Sequence, residues 1–542
     1  MKSFFDKIFW TALFSVVLYL LASPAVFCWE VNLWPLVFFV PAIWARLIRC
    51  ETFAETQFRY TKIWVCAFGF WLATTFWICF PHPLTSLGWI ALSAYLAVYL
   101  PVFIAVSRHL TRRYPLPTYF VCPVVWVCVE WFRNHVFGGF SPAALEHSLY
   151  KVPLLIQTAD LGGQYLVGAQ IVFLGCCLER IFVPLNPRKT PLTAALGVLL
   201  FMLAYGWYQT PNVTSDDQSP PIRIAATQGN YPVTLNPPEG QGEKTFRQYC
   251  KLSEDAVKQA EKDSKPLHLI VWPETVYPYP MFEFCDGFTP DDWDMTPEEA
   301  LEESRKFPLS MASCWNTPLL LGVSTYSFTQ EKENRLNSVV LVDPLTQTVG
   351  PRYDKVHLVM FGEYVPLAGY LPDDFPLKTL CQTASRGTKP VAIPIPGTDV
   401  FLSANICFEG LVPHLVRGQV AELRRQGKEP AILINLSNVG WFYFTSQIDL
   451  QLATQVFRAV ENRKPYITAA NGGISAYIDA TGKIVNRGKR KEAVSFISEI
   501  QPDGRKSFYT AYGDVFAYGC LILTAVLLIR KFQRSNKSEP QS

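Results

Sequence analysis

Phe401-Leu402-Ser403-Ala404-Asn405-Ile406-Cys407-Phe408-Glu409 is an apolar run that ends in a small thiol followed by an acid. It reads as a strand that hands Cys407 to a turn, one way for a fold to present a nucleophile. Outward from it, short β-branched runs recur at 222–227, 267–272, 319–323, 338–342, 431–435, 466–470 and 474–478. Helical patterns lie between many of them. In 446–463, Leu450, Ala453, Phe457 and Val460 repeat at spacings of three and four and mark one apolar helical face. Residues 246–262 also read as a helix. Strands alternating with helices predict an α/β layered domain over about 220–505.

The rest of the 542-residue chain has a different composition. Half of all residues are hydrophobic and only 17% are charged, which is too apolar for an ordinary soluble protein. A net charge of +3 gives no reason to expect a nucleic-acid partner. A bilayer-spanning helix needs about 20 mostly apolar residues. Such segments fall at 9–29, 33–48, 63–81, 87–107, 117–133, 163–183, 190–208 and 513–530. They predict a multi-pass membrane region of seven helices over 1–210, an eighth helix at 513–531, and a linker at 209–221. Lys and Arg gather in alternate loops: Arg46 to Lys62, Arg108 to Arg113, Arg180 to Lys189, and Arg530 to Lys537. That bias places both termini in the cytoplasm and exports the α/β domain. Nine of the 14 cysteines lie in or beside the spans. Of the five in the exported domain, Cys250, Cys285, Cys314 and Cys381 have open connectivity, and Cys407 is the one expected to stay free.

Three further residues suit chemistry beside a thiol. Glu274 closes the run 267–272 next to Trp272 and Pro273, where a partly desolvated carboxylate serves as a general base, although an exposed loop acid looks the same. Lys355, in Tyr353-Asp354-Lys355, is placed to stabilise an oxyanion, or is an ordinary surface lysine. Glu363, in Phe361-Gly362-Glu363-Tyr364-Val365-Pro366, orients Lys355 or caps a turn. Glu409 stands close to the thiol, and a helix starting soon after Cys407 would lower the thiol pKa. The seven histidines show no paired ligand spacing, so no metal site is expected, and no cofactor is implied.

Together, Trp272-Pro273-Glu274, Tyr353-Asp354-Lys355 with Phe361 to Pro366, and Ile406-Cys407-Phe408-Glu409 resemble the Glu–Lys–Cys triad of the nitrilase superfamily. Gln228-Gly229-Asn230, Ser437-Asn438-Val439-Gly440-Trp441-Phe442 and Ala470-Asn471-Gly472-Gly473 are similar to its membrane-bound branch, the apolipoprotein N-acyltransferases. Phe408 stands where that branch usually has tyrosine. The resemblance implies an exported α-β-β-α sandwich and catalysis by Glu274, Lys355 and Cys407. It implies supporting or substrate-binding roles for Glu363, Phe408, Glu409, Gln228, Asn230, Asn438 and Trp441. It implies transfer of an acyl chain from a phospholipid, with phosphatidylethanolamine as donor, through a Cys407 thioester to the α-amine of diacylglyceryl-cysteine apolipoproteins. The implied location is the bacterial inner membrane, with the catalytic domain on the periplasmic side. The apolar stretches 277–284, 358–371 and 441–444 read as flaps or interface anchors, with core or loop packing as the alternative for each and about even with it for 277–284. The competing readings are a membrane-anchored amidohydrolase of the same superfamily that uses water as acceptor, and a transporter or structural membrane protein with an inert exported domain.

Overall fold

The computed structural model describes residues 5–182, 189–210, 220–288, 294–370, 372, 381 and 384–530. Most of the expected linker 209–221 lies outside the described residues, as do Arg188, Leu371 and the cations Lys531, Arg534 and Lys537.

Helices lie on each of the eight apolar segments: Lys7–Ala22, Phe39–Arg49, Arg59–Thr74, Thr85–Leu96 with Tyr99–Arg113, Thr118–His135, Ala159–Phe182, Lys189–Gln209 and Val515–Ile529. Among the described residues, three stretches are long and apolar enough to cross a membrane: Thr85–Arg113, Ala159–Phe182 and Lys189–Gln209. Lys7–Ala22 and Val515–Ile529 are shorter apolar helices. Lys189–Gln209 leaves Leu192, Leu196, Leu200 and Trp207 uncovered, and Val515–Ile529 leaves Ile522, Val526 and Ile529 uncovered. Faces this apolar need a cover other than water.

Residues 222–500 build two sheets from strands β1 (Ile222–Gln228), β2 (Leu269–Val271), β3 (Met281–Phe284), β4 (Leu319–Phe328), β5 (Glu333–Asp343), β6 (Thr348–Asp354), β7 (Ala392–Pro394), β8 (Phe401–Ile406), β9 (Ile432–Asn438), β10 (Tyr466–Asn471), β11 (Ala476–Ile478), β12 (Ile484–Arg487) and β13 (Val494–Ile500). The first sheet runs β13-β1-β2-β4-β5-β6, with β3 paired to β4; the second runs β12-β11-β10-β9-β8-β7. In the second sheet β8, β9 and β10 are parallel, with Asn405 opposite Asn435 and Ile406 opposite Leu436. One core joins the two sheets: Ile224, Leu269, Val271 and Leu341 meet Leu402, Ala404, Ile434 and Ile467. Helices Gln241–Lys262 and Pro297–Trp315 pack on the far side of the first sheet. Helices Pro413–Arg425 and Gln447–Asn462 pack on the far side of the second. The result is four layers, α-β-β-α. Central strands are covered on both faces, so β9 is buried at every residue and reads as a continuous run rather than an alternation.

Strands β7, β12 and β13 lie outside the runs named from sequence, and two further elements also differ from expectation. Part of the 277–284 stretch is not a flap but strand β3, hydrogen-bonded in parallel to β4 with Met281 opposite Thr325. Pro278 and Pro280 before it hide so short a strand. Strand β6 was not foreseen, and it is the strand that leads directly into Lys355. All fourteen cysteines are free thiols, Cys250, Cys285, Cys314 and Cys381 included.

Helix Gln447–Asn462 is buried at every one of its 16 residues. One side packs on the second sheet. The other meets helix Ala159–Phe182 through charge. Arg458 donates to Gln164 Oε1 and to Glu461 Oε1, both at 2.7 Å, while the Gln164 amide donates to Glu461 at 2.8 Å. Just past the helix, Arg463 pairs with Asp160 at 2.7 Å and donates to Gln157 Oε1 at 2.6 Å. Buried charges persist only when paired and hydrogen-bonded in this way.

Candidate active site

Three strand ends converge at one edge of the sandwich. Glu274 follows β2, Lys355 follows β6 and Cys407 follows β8, so each side chain enters from a rigid element. Cys407 adopts φ 52°, a left-handed conformation unusual for a residue with a side chain. The strain lets the chain turn sharply from β8 into a 3-10 turn, Cys407–Leu411. The turn fits closely. A Cβ on Gly410 would lie 2.4 Å from the Tyr466 hydroxyl and 2.7 Å from Asn435 Nδ2, so only glycine passes. Asn435 Nδ2 donates to the Cys407 carbonyl at 3.1 Å and fixes the turn from β9.

The Lys355 ammonium is 1% exposed and lies 2.7 Å from Glu363 Oε1 and 3.6 Å from Glu274 Oε1. Burial alone would lower its pKa, but Glu274, Glu363 and Cys407 outweigh burial and hold it above the ordinary lysine range. Glu363 also accepts the Val359 amide at 2.8 Å, so it both orients Lys355 and closes its own turn. Glu274 accepts Asn337 Nδ2 at 2.7 Å on one oxygen and the Asn438 amide at 2.8 Å on the other. The carboxylate is therefore aimed from two sides.

The thiol of Cys407 is pushed up to about 12. Burial is the main cause and the Glu274 charge adds to it, while Lys355 and a hydrogen bond with Ser437 pull the other way. The expected lowering by a following helix does not occur. The regular helix begins only at Pro413, and the packed surroundings of the sulfur dominate.

Glu409 is fully buried. Its carboxylate accepts the amides of Ile406, Val356 and His357 at 2.8, 2.8 and 2.9 Å and the Tyr353 hydroxyl at 2.9 Å. It thus ties the Cys407 turn to the chain on both sides of Lys355. Burial pushes this carboxyl up to about 7 against the pull of Lys355 and those donors. Replacing Glu409 by Ala strands three amides and a hydroxyl in a dry interior. The expected loss is about 3 kcal/mol, seen as a lower unfolding midpoint of the detergent-solubilised protein. An unchanged midpoint would show that Glu409 ties nothing.

The remaining residues named from sequence separate into two groups. Phe408 and Asn438 adjoin the cluster: the Phe408 ring stacks 6.0 Å from His357, and Asn438 gives its amide to Glu274. Trp441 lies partly buried in the 3-10 turn Gly440–Phe442 beyond Asn438. Gln228 and Asn230 point elsewhere. Gln228 Nε2 donates to the carbonyls of Lys489 and Glu492, and Asn230 Nδ2 to that of Lys491, so both fasten the loop before β13. Sequence reading missed Asn337, Tyr353 and Ser437. Asn337 holds Glu274 from 63 residues away, with no local pattern to mark it. Tyr353 and Ser437 stood inside quoted motifs, and their burial was the signal not used.

The helical part reaches this cluster. Gly138, just past helix Thr118–His135, lies 3.8 Å from His357 Nε2 as measured from the position of a Cβ. Phe442 packs on Trp77 with ring centroids 4.7 Å apart, and Tyr443 on Phe80 at 5.7 Å. Phe137, Phe361, Leu367 and Tyr370 are exposed.

The sequence profile of the apolipoprotein N-acyltransferase N-terminal domain matches residues 8–177, and that of the carbon-nitrogen hydrolases matches residues 223–508. The apolipoprotein N-acyltransferase of Geobacter metallireducens is 31% identical over 447 residues, with 81% of this chain and 80% of that protein covered. The protein of the same description from Rhodopirellula baltica is 29% identical over 553 residues, with 92% and 93% covered. Apolipoprotein N-acyltransferase 1 of Treponema denticola is 23% identical, with 88% and 89% covered. Among solved structures, an amidase of the nitrilase superfamily from Nesterenkonia AN1 is similar at 15% identity, with 52% of this chain and 92% of that chain covered and a TM-score of 0.36.

Proposed function

The chain belongs to the apolipoprotein N-acyltransferase family of the nitrilase superfamily and is an acyltransferase, and from that premise we propose that Cys407 carries the acyl group between a phospholipid and a lipoprotein amine. The observation that carries this reading is the Lys355 ammonium, fixed between Glu274 and Glu363 and coupled to the Cys407 thiol.

Glu274 takes the thiol proton as Sγ attacks the ester carbonyl of the phospholipid. The carbonyl oxygen becomes an oxyanion, stabilised by Lys355 and the amide of Phe408. The C–O bond then breaks, and the lysophospholipid oxygen leaves with the proton held on Glu274. A thioester remains on Cys407. In the second half, the α-amine of a diacylglyceryl-cysteine attacks the thioester carbon and yields its proton to Glu274. The C–S bond breaks, an amide forms, and the proton returns to the thiolate. Two half-reactions sharing one site imply ping-pong kinetics. Phosphatidylethanolamine is the donor on this reading, and no cofactor takes part.

Both substrates are lipids, and each methylene drawn into water costs about 0.8 kcal/mol. The exposed Phe361, Leu367 and Tyr370 suit an opening that faces lipid. We place eight membrane helices in the bacterial inner membrane, seven within 1–210 and one at 513–531, with the catalytic domain 220–505 on the periplasmic side and both termini cytoplasmic. Mass spectrometry of the protein incubated with phosphatidylethanolamine vesicles tests the reading. An acyl mass on the Cys407 peptide, discharged by a diacylglyceryl-cysteine peptide to give an amide, is the expected result. Release of free fatty acid without amide would favour the amidohydrolase reading.

A further inference from the structure

Residues 384–387 form neither helix nor strand, yet their backbone is tied at three points. The Ala384 amide donates to the Glu363 carbonyl at 2.9 Å, the Ser385 amide to Arg335 at 2.7 Å and the Gly387 amide to Lys355 at 2.7 Å. The fit at Gly387 excludes any side chain, because a Cβ there would stand 2.1 Å from the Asp354 carbonyl oxygen. This segment is therefore pressed flat against the backbone of the two residues that face each other across the buried ion pair, Lys355 and Glu363.

Arg386 projects from the middle of it. Its side chain is exposed, and the guanidinium lies 5.1 Å from the ring centroid of Tyr364, the neighbour of Glu363. Stacking on an aromatic face restrains a guanidinium and leaves its N–H edge free. Among the described residues no carboxylate pairs with Arg386, whereas Arg352, Arg458, Arg463, Arg490 and Arg505 each have one. Its charge is felt at His357, the residue stacked near Phe408. A cation with no carboxylate partner among the described residues is thus held on a fixed mount beside Lys355 and Glu363.

We propose that Arg386 binds the phosphodiester of the acyl-donor lipid and so selects phospholipids over uncharged glycerolipids. The proposal rests on the transfer reading above. A guanidinium presents parallel N–H groups that match two phosphate oxygens. In a phospholipid the phosphate is joined to the same glycerol as the reacting ester, so an anion site at the rim and an ester at the thiol belong to one bound molecule. The acceptor, a diacylglyceryl-cysteine peptide, has no phosphate, so only the first half-reaction draws on Arg386.

The test compares two donors with identical acyl chains in detergent micelles, phosphatidylethanolamine and diacylglycerol, using the full-length protein. The readout is the rate of thioester formation on Cys407, taken as the ratio of kcat/KM between the donors. Arg386→Gln lowers that ratio by about tenfold, through KM, as expected for a solvent-exposed charge-assisted contact. Arg386→Lys keeps part of the preference, and Arg386→Glu loses more than Arg386→Gln. Added salt weakens the wild-type preference, since the contact is exposed. An equal loss with both donors, or an unchanged ratio, overturns the proposal. So does stimulation of the diacylglycerol reaction by millimolar inorganic phosphate in the wild type, which would mean that the site takes free phosphate. Absence of any thioester in the wild type would instead overturn the transfer reading itself.

Discussion

Cys407→Ala is expected to abolish acyl transfer, with turnover falling by about 10⁵-fold or more and no acyl adduct on the protein. The fold should survive. The turn is built by Asn435 and Gly410 around the backbone of residue 407, not around its sulfur. Cys407→Ser is expected to fail almost as fully, because a hydroxyl is a poorer nucleophile. The same thiol supplies a pH test. With its pKa pushed up to about 12, the sulfur stays almost wholly protonated at pH 8. Raising the pH from 7 to 9 should therefore leave Cys407 slow to react with a small alkylating agent. Exposed Cys28 and Cys314 serve as accessible-thiol controls in the same sample. Fast alkylation of Cys407 at pH 7 would mean a resting thiolate and would remove the need for a base.

Because the sulfur rests protonated, Glu274→Gln should produce the second large loss, about 10²- to 10⁴-fold in turnover. The substitution keeps the size of the side chain but removes proton acceptance. It also turns an NH₂ group toward either the Asn337 amide or the Asn438 N–H, where a carboxylate oxygen now accepts. Lys355 would keep Glu363 at 2.7 Å, so the site should remain assembled. Single-turnover measurements should show both half-reactions slowed, since one carboxylate moves a proton in each. If thioester formation slows while its discharge to an amine keeps its rate, a different base serves the second half.

The strand ending at Cys407 was legible because an apolar run stopped at a polar turn. Glu274 and Lys355 were legible through the motifs around them. What holds them was not. Asn337 sits at an ordinary position of β5, and its amide reaches Glu274 only because β5 and β2 belong to one sheet with β4 between them. Gln228 ends a strand just as the site residues do. The loop 489–492 pairs with it, and no local pattern foretells a partner about 260 positions away. Helix Gln447–Asn462 showed one apolar face in the sequence, and nothing there spoke for its polar side. That side is buried, because Arg458 and Glu461 find Gln164 nearly 300 residues earlier. Long-range pairing of polar groups leaves no periodic trace, whereas apolar burial does.

That enclosed helix has a mechanical consequence. A domain joined by a bare tether could swing away from its anchor to load and unload. Here a 16-residue rod is clamped by a sheet on one flank and by ion-paired helices on the other, and bending it would break buried charge pairs at a cost of several kcal/mol. These buried pairs tie the two halves together at this helix. On the transfer reading, any movement that admits a lipid would then fall to the exposed side chains Phe361, Leu367, Tyr370 and Tyr443 and not to this rod.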